Sequence, residues 1–395
     1  MAMVSLERWM TSPNLFAMDK PTLLILGVQL ESEGYPNVLH RVAALQDSAH
    51  FSVSKIHYSA WATSTQRSAG LGRVLRNFWR MLAAHCAVLF CYLRHPPIDC
   101  IYVPYPGTLL LWALSFLPRR SKRVVVDTFI SLYDTVVLDR GLLRENSLAA
   151  RLLFLLERRA LRAASINIVD TEQSASHLCA LFGLRAEQVL AIPLSTDEEN
   201  FIPVTEQADP ARCRVLFVGT LIPLHGVQTI TAAAALLADR VDIEISVIGD
   251  GQQAAELEQV LAANPGCLNW QRQWMSSQEL AGAIAESDIC LGIFGDTEKT
   301  QRVLPLKLYA YARVGRCIIT AATECTERFS AGVDYQPWHT VPAADPQALA
   351  QAIVELADAP AARDELASNA VRFYRDRLSN VAAQQQLQAV LLGGT

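Results

Sequence analysis

The sequence has no large excess of either charge and no residue spacing typical of a metal site. Its formal net charge is −5 over 395 residues, which gives no electrostatic reason to expect a nucleic-acid partner. The nine cysteines form no C-x-x-C pair, and the eight histidines show no H-x-x-x-H or H-E-x-x-H spacing. We therefore expect buried, reduced thiols in a cytoplasmic protein and no metal ligands.

Long uninterrupted apolar runs are also absent. Residues 77–93 and 108–123 come nearest, but neither reaches the roughly 20 apolar residues of a spanning helix. Both runs are flanked by Arg or Lys, so they suit either the interface of a membrane or the buried helices of an α/β protein. Residues 1–20 carry Glu7, Arg8, Asp19 and Lys20 and lack the apolar core of a signal peptide, so we expect an N-terminal extension there.

Alternation of short apolar runs with helices is the main positive feature of the chain. Four such runs lie between residues 215 and 320: VLFVGT (215–220), IEISVIGDGQ (243–252), SDICLGIFGD (287–296) and RCIIT (316–320). The first half repeats the pattern in TLLILG (22–27), FSVSKIHYS (51–59), DCIYVPYPG (99–107), RVVVDTF (123–129) and INIVDTE (166–172). Unbroken apolar strands separated by helices predict parallel sheets covered on both faces.

The length and this repetition predict two domains. Residues 203–210 are polar and begin and end with proline, so we place the boundary near residue 205. The first domain then spans 21–204 and the second spans 205–375. The amphipathic stretch 380–392 has no strand after it, and we expect the C-terminal segment 376–395 to form a helix that packs back on the first domain.

Two turns in the second half are rich in glycine. Gly219-Thr220, with Gly226 beyond, follows one strand, and Gly249-Asp250-Gly251 follows the next. Ligands of parallel sheets bind beyond the carboxyl ends of the strands, where helix N-termini present free N–H groups. We therefore expect a site for a phosphorylated ligand. No strand is followed by G-x-G-x-x-G with an acidic residue about 20 positions later, which disfavours a dinucleotide oxidoreductase.

These segments, in this order, resemble the retaining glycosyltransferase family 4, whose GT-B fold has two Rossmann-like domains facing a central cleft. The resemblance rests on VLFVGTLIPLHGVQTI, on VIGDGQ, on the stretch from SDICLGIFGD to RCIIT, and on the closing ADPQALAQAIVELADAP. It covers roughly residues 20 to 380. It implies transfer of a sugar from a nucleotide-sugar to an acceptor hydroxyl or amine, with retention. The sequence has no Asp-x-Asp motif, which agrees with a metal-independent site and no cofactor other than the donor substrate.

The resemblance also implies where the donor binds. Arg302 and Lys307 are the cations expected at the diphosphate, and Pro305 suits the first helical turn, whose free amides near Leu306 and Lys307 would face the phosphates. Spacing alone fits two solvated basic residues equally well. The remaining expected donor-binding residues are Gly34, Gly219, Thr220, His225, Gly249, Asp250, Gly251, Leu304 and Tyr309.

The chain departs from the family pattern at the donor site. Family members carry two glutamates eight positions apart, and the matching residues here are Arg302 and Ala310. Tyr309 or Tyr311 would be the substitute at the ribose, although a helix tyrosine more often packs in a core. The Arg and Lys of the family's first turn are matched by Thr220 and His225. A histidine is largely neutral near pH 7 and supplies less charge.

Two carboxylates of the first domain are candidates for the acceptor side. Asp127 and Asp134 flank the end of the fourth strand, so either could orient or deprotonate the acceptor, or cap the loop instead. Glu172 ends another strand, where a helix first-turn role is the simpler interpretation. We expect a nucleotide-sugar donor and an acceptor that is a small molecule, a glycan or lipid-linked, with peripheral membrane contact open. The alternative is a catalytically weakened GT-B protein that binds a ligand or partner without turnover.

Overall fold

The computed structural model describes residues 20–29, 35–59, 71–204, 212–264, 266 and 268–394, with the side chains of residues 29, 59 and 71–78 excepted. The chain forms two parallel sheets of six strands each. Gly34, Cys267, residues 1–19 of the predicted extension and the predicted boundary at residue 205 lie outside the described residues. In the part of the chain that is described, no helix is both long enough and apolar enough to cross a membrane.

The first sheet has the strand order β2-β1-β3-β4-β5-β6. Its strands are β1 (Thr22–Gln29), β2 (Ser52–Ser59), β3 (Ile98–Val103), β4 (Ser121–Asp127), β5 (Ile166–Val169) and β6 (Val189–Ala191). The helices between them are α1 (Pro36–Gln46), α2 (Leu71–Arg94), α3 (Thr108–Leu114), α4 (Leu148–Ala163) and α5 (Glu172–Phe182). A π-helical turn, Asp134–Asp139, lies between β4 and α4.

Alternate residues of these strands face opposite layers of helices, as the period of two requires. Leu24 and Leu26 of β1 pack with residues of α2, α3 and α4. Leu23 and Ile25 face the other way and pack with residues of α1. Because both faces are covered, the strands read as continuous apolar runs.

The second sheet has the order β12-β11-β10-β7-β8-β9. Its strands are β7 (Cys213–Val218), β8 (Ile243–Ile248), β9 (Asn269–Gln271), β10 (Ile289–Leu291), β11 (Cys317–Ala321) and β12 (His339–Val341). Its helices are α6 (Val227–Leu236), α7 (Ala254–Ala263), α8 (Ser277–Ala285), α9 (Leu306–Val314), α10 (Glu324–Ser330), α11 (Pro346–Ala357) and α12 (Pro360–Phe373). This is the doubly wound order of Rossmann folds, and its switch point, where ligands bind, lies between β7 and β10.

The last helix, α13 (Asn380–Leu392), packs against the first sheet rather than against the second. A π-helical turn, Tyr374–Leu378, connects it to α12. Its apolar residues Ala383, Leu387 and Val390 pack into the same cluster as Leu23 and Ile25. The end of the chain therefore crosses from the second sheet to the first.

The two Rossmann-like sheets confirm the predicted GT-B fold class. The predicted strands correspond to β1–β5, β7, β8, β10 and β11. Helix α11 begins just after Asp345, whose carboxylate caps it by accepting a hydrogen bond from the N–H of Ala348. The prediction missed β6, β9 and β12, which have three residues each and leave little apolar pattern to detect.

Candidate active site

The two glycine turns of the second sheet lie at its carboxyl edge and pack directly against each other. A Cβ atom at Gly249 would collide with the carbonyl oxygen of Gly219, and one at Gly251 would lie 2.6 Å from the N–H nitrogen of Leu221. Gly249 has φ +135°, which also favours glycine. Close packing of the two turns is therefore enough to explain why glycine occupies these positions. Their predicted contact with the donor stays a prediction.

The ammonium group of Lys307 lies beside the turn that follows β7. A Cβ atom on Gly219 would lie 2.6 Å from Lys307 Nζ and 3.0 Å from His225 Cε1. Lys307 Nζ also lies 3.8 Å from the ring centroid of Phe217. Part of the Lys307 residue reaches solvent, yet its nitrogen is buried and has no hydrogen-bond partner among the described residues. Burial of an ammonium without a counter-charge is unfavourable, and an anion bound beside it would stabilise it.

His225 is buried next to this cation and is bound to its own turn. Its Nδ1 contacts the carbonyl oxygen of Thr220. Burial, and then the charge of Lys307, lower the pKa of His225 well below its usual value. Burial likewise lowers the pKa of Lys307 well below its usual value. Both shifts disfavour the charged forms in the absence of an anion, and an anion bound beside Lys307 Nζ would favour the ammonium form of Lys307.

The N-terminus of α9 supplies further positive potential at the same place. Pro305 is the N-cap residue and α9 begins at Leu306. The first N–H groups of a helix, here those of Leu306 and Lys307, have no carbonyl partner within that helix. Leu304 is 1% exposed and packs in the core, so it anchors the loop rather than facing a ligand.

Asp134 is the centre of an ion cluster that joins the two halves of the chain. Its carboxylate lies 2.9 Å from the Arg302 guanidinium, 3.3 Å from His177 Nε2 and 3.4 Å from Lys299 Nζ. Burial alone would raise the pKa of Asp134, but the His177 contact and the charges of Lys299 and Arg302 outweigh it and keep this pKa well below its usual range. Lys299 also lies 3.5 Å from Asp139.

This cluster brings together Asp134 and Arg302, for which the sequence predicts separate roles that stay predictions. Asp134 was expected on the acceptor side and Arg302 at the diphosphate, yet the two form one ion pair with each other. The Arg302 backbone is held as well, since the Thr171 hydroxyl donates to its carbonyl at 2.5 Å. Neither charge is free in this conformation, because each already has an opposite partner.

Asp127 does not lie open to an acceptor as predicted, because its carboxylate is buried inside the first half. It is 2% exposed, pairs with Arg41 at 2.7 Å and accepts a hydrogen bond from the Tyr102 hydroxyl at 3.1 Å. Arg41 also donates to the carbonyl oxygens of Ile192 and Pro193. A carboxylate held this way stabilises the sheet edge and is poorly placed to accept a proton from an acceptor.

The residues of α9 around Ala310, the position of the second missing glutamate, lie in the hydrophobic core. Tyr309 is 0% exposed, and its hydroxyl accepts a hydrogen bond from the N–H of Leu194. Tyr311 is equally buried and accepts from the N–H of Val218. Ala310, at 5% exposed, packs in the same cluster. The structure therefore corrects the predicted ribose contact of Tyr309, because a side chain without exposed surface does not reach a ligand.

Asp250 belongs to the second glycine turn. Its carboxylate accepts a hydrogen bond from the N–H of Gly251 at 2.9 Å and pairs with Arg272 at 3.3 Å. The carboxylate thus stabilises the turn, and its predicted donor contact stays a prediction.

Several residues of the site were not found from the sequence. Lys299 and His177 complete the Asp134 cluster, and Arg140 is close enough for its charge to act on His225. Arg41 had a detectable signal, because it lies on the buried stripe of α1 between apolar neighbours, where a charge requires a partner. Lys299 and Arg140 lie in turns, where a charge is the ordinary residue, and His177 is a single histidine on α5 with no pattern around it.

Comparison with known proteins agrees with this architecture. The family described as "Glycosyl transferases group 1" matches residues 212–359, and the family described as "Glycosyl transferase 4-like domain" matches residues 26–195. No curated protein matches the sequence.

Several of the solved structures that share the fold cover nearly the whole chain. Sucrose-phosphate synthase from Thermosynechococcus elongatus is 16% identical with a TM-score of 0.70, covering 94% of this chain and 98% of that one. Anabaena HepE in complex with UDP-glucose is 16% identical with a TM-score of 0.65, covering 94% and 99%. The N-terminal domain of Candida albicans trehalose-6-phosphate phosphatase is 10% identical with a TM-score of 0.67, covering 97% and 98%. The second half of the chain is therefore a group 1 glycosyltransferase domain, the first half is a glycosyltransferase 4-like domain, and the chain is a glycosyltransferase of the GT-B fold.

Proposed function

We propose that the chain transfers a sugar from a nucleoside-diphosphate sugar to an acceptor hydroxyl or amine, and that the diphosphate binds between the Gly219 turn and the start of α9. The observation that carries this proposal is the buried Lys307 ammonium, which has no hydrogen-bond partner among the described residues and lies beside Gly219. A diphosphate there would give the ammonium its counter-charge.

Charge development during the reaction explains why this site suits glycosyl transfer. The leaving nucleoside diphosphate gains negative charge as the bond to the sugar breaks. Fixed positive groups stabilise that charge in the transition state more than in the ground state, which is the requirement for catalysis. Lys307 and the α9 N-terminus would supply them without a metal ion, so we propose metal-independent transfer.

Retention of configuration is part of the proposal because of the resemblance to family 4. The donor candidates begin with UDP-sugars, since the solved HepE structures are complexes with UDP and with UDP-glucose. Proton NMR of the first product formed reports the anomeric configuration. Activity that persists in a chelator supports the metal-independent reaction.

Titration calorimetry with UDP, GDP and ADP, followed by a donor-hydrolysis and transfer screen, tests the site. Lys307→Met keeps the length of the side chain and removes its charge. Loss of one charged hydrogen bond, about 1.5–3 kcal/mol, should weaken nucleotide binding about 10- to 150-fold and lower kcat/KM at least as much. Lys122→Met is the matched control, because that lysine is exposed and pairs with Asp99.

Unchanged affinity and turnover in Lys307→Met, with the control also unchanged, would remove Lys307 from the donor site. Nucleotide binding without hydrolysis or transfer of any donor would instead support the catalytically weakened binding protein.

A further inference from the structure

Helices α2, α3 and α4 lie side by side on one face of the first sheet and leave an apolar outer surface. Their inner residues share one core cluster, for example Val88 of α2, Leu111 of α3 and Ala160 of α4. Helices that cover a sheet normally present polar residues on the opposite side. Here the outer side is apolar too, which marks an interaction surface.

The outer stripe of α2 is the clearest part of this surface. It consists of two pairs of residues, Trp79 with Leu82 and Phe90 with Leu93. The members of each pair are three positions apart and the second pair begins eight positions after the first ends, so all four lie on one side of the helix. They are 59%, 42%, 53% and 41% exposed. The buried residues Ala84, Val88 and Tyr92 form the opposite stripe. Because α2 is apolar on both sides, packing against the sheet accounts for only one of them.

The neighbouring helices continue the surface. Leu109 of α3 is 44% exposed and Phe116, just beyond α3, is 58% exposed. On α4, Leu148, Leu152 and Leu155 are 79%, 67% and 49% exposed, again at intervals of four and three. We refer to the outward apolar residues of α2, α3 and α4, with Phe116, as the outer face.

Positive charge accompanies the outer face. Residues 71–163 contain 14 Lys or Arg against six Asp or Glu, although the whole chain has a net charge of −5. In α2, α3 and α4 the single acidic residue is Glu157, which is 0% exposed. Two arginines lie directly over exposed rings: Arg94 is 3.9 Å from the Phe90 centroid, and Arg159 is 3.9 Å from the Phe116 centroid.

We propose that the outer face docks on the surface of an anionic lipid bilayer. Aromatic and leucine side chains would enter the headgroup region, while the arginines remain at the level of the lipid phosphates. A symmetric contact with a second copy would bring the same arginines together, which disfavours self-association. Docking of this kind is independent of the transferase reaction and of donor binding.

Vesicle co-sedimentation tests the proposal with the full chain. The vesicles contain phosphatidylcholine alone or with about 30 mol % phosphatidylglycerol. Arg80→Glu with Arg151→Glu changes two exposed charges, and Phe90→Ser with Leu152→Ser removes two exposed apolar side chains. Leu236→Ser with Trp274→Ser is the matched control, since these residues are 56% and 50% exposed on the second half. Circular dichroism and thermal melting confirm that each variant folds.

We expect binding to the anionic vesicles that falls by at least about tenfold in both outer-face variants and stays unchanged in the control. Failure of the wild-type chain to bind anionic vesicles overturns the proposal, as does equal binding by folded outer-face variants. A wild-type dimer in light scattering that Phe90→Ser with Leu152→Ser converts to a monomer, without vesicle binding, would assign the face to a second copy instead.

Discussion

Asp134 should contribute more to stability than any single cation around it, because it is the one carboxylate shared by three positive or protonatable groups. Replacing Asp134 by Asn leaves Arg302 and Lys299 close together and partly buried, their side chains 13% and 14% exposed. Replacing Arg302 by Met leaves Asp134 still in contact with Lys299 and His177. The two substitutions therefore break the same ion pair at different cost.

The distances set the scale of that difference. At an effective dielectric constant of about 20, Asp134 attracts Arg302 at 2.9 Å by roughly 6 kcal/mol and Lys299 at 3.4 Å by roughly 5 kcal/mol. Desolvation of the three groups offsets most of this attraction. Removing the shared partner of a buried cluster costs about 3–5 kcal/mol, whereas losing one of several charged contacts costs about 1.5–3 kcal/mol.

Urea unfolding followed by tryptophan fluorescence measures both values, with the two transitions of a two-domain chain fitted separately. Glu172→Gln is the control, because the Glu172–Arg328 pair also joins the two halves at 2.9 Å but is 65% and 63% exposed. It should cost no more than about 1 kcal/mol. A loss in Arg302→Met that equals or exceeds the loss in Asp134→Asn would refute the central role of Asp134.

Two further predictions concern a buried acid and a glycine. Burial raises the pKa of Asp170 to about 6, above its unfolded value, so its folding contribution is full at acid pH and is lost as pH rises to about 6. Asp170→Asn should therefore raise the free energy of unfolding by up to about 3 kcal/mol at pH 7.5 and by little at pH 4; equal gains at both would contradict this. Gly226 has φ +63°, and an added Cβ would collide with the Phe294 backbone, so Gly226→Ala should cost about 2–5 kcal/mol by thermal melting. Gly141→Ala, with φ +59° and open space around it, should cost only about 1–2 kcal/mol, and similar losses in both would exclude the collision as the cause.

The fold was predictable because its main signals are local. Each central strand is an apolar run that ends at a turn, and the start of α11 is marked by two adjacent residues, Asp345 at the N-cap and Pro346 at the first helical position. Edge strands such as β9 escape this reasoning. Only Trp270 among its three residues is not exposed, so pairing with β8 decides its conformation rather than its own side chains.

The site was predictable only in part, because its partners come from distant segments. The positions of the glycine turns can be predicted from the apolar strands that precede them, and the position of Lys307 can be predicted from the start of α9. The partner of Arg302 cannot be predicted in this way, since Asp134 is 168 positions away in sequence. The same holds for Asp127, whose partner Arg41 is 86 positions away. A carboxylate after a strand looks catalytic or capping until its counter-ion is known.

The arginine at position 302 is accordingly not simply a lost glutamate. A largely buried guanidinium without a counter-charge would be unstable, so a cation at this position requires a nearby acid. Asp134 is that acid, and it reaches Arg302 from the opposite half of the chain. The arginine at position 302 and the carboxylate of Asp134 therefore depend on each other. A glutamate placed at position 302 alone would bring two carboxylates together, and they would repel each other.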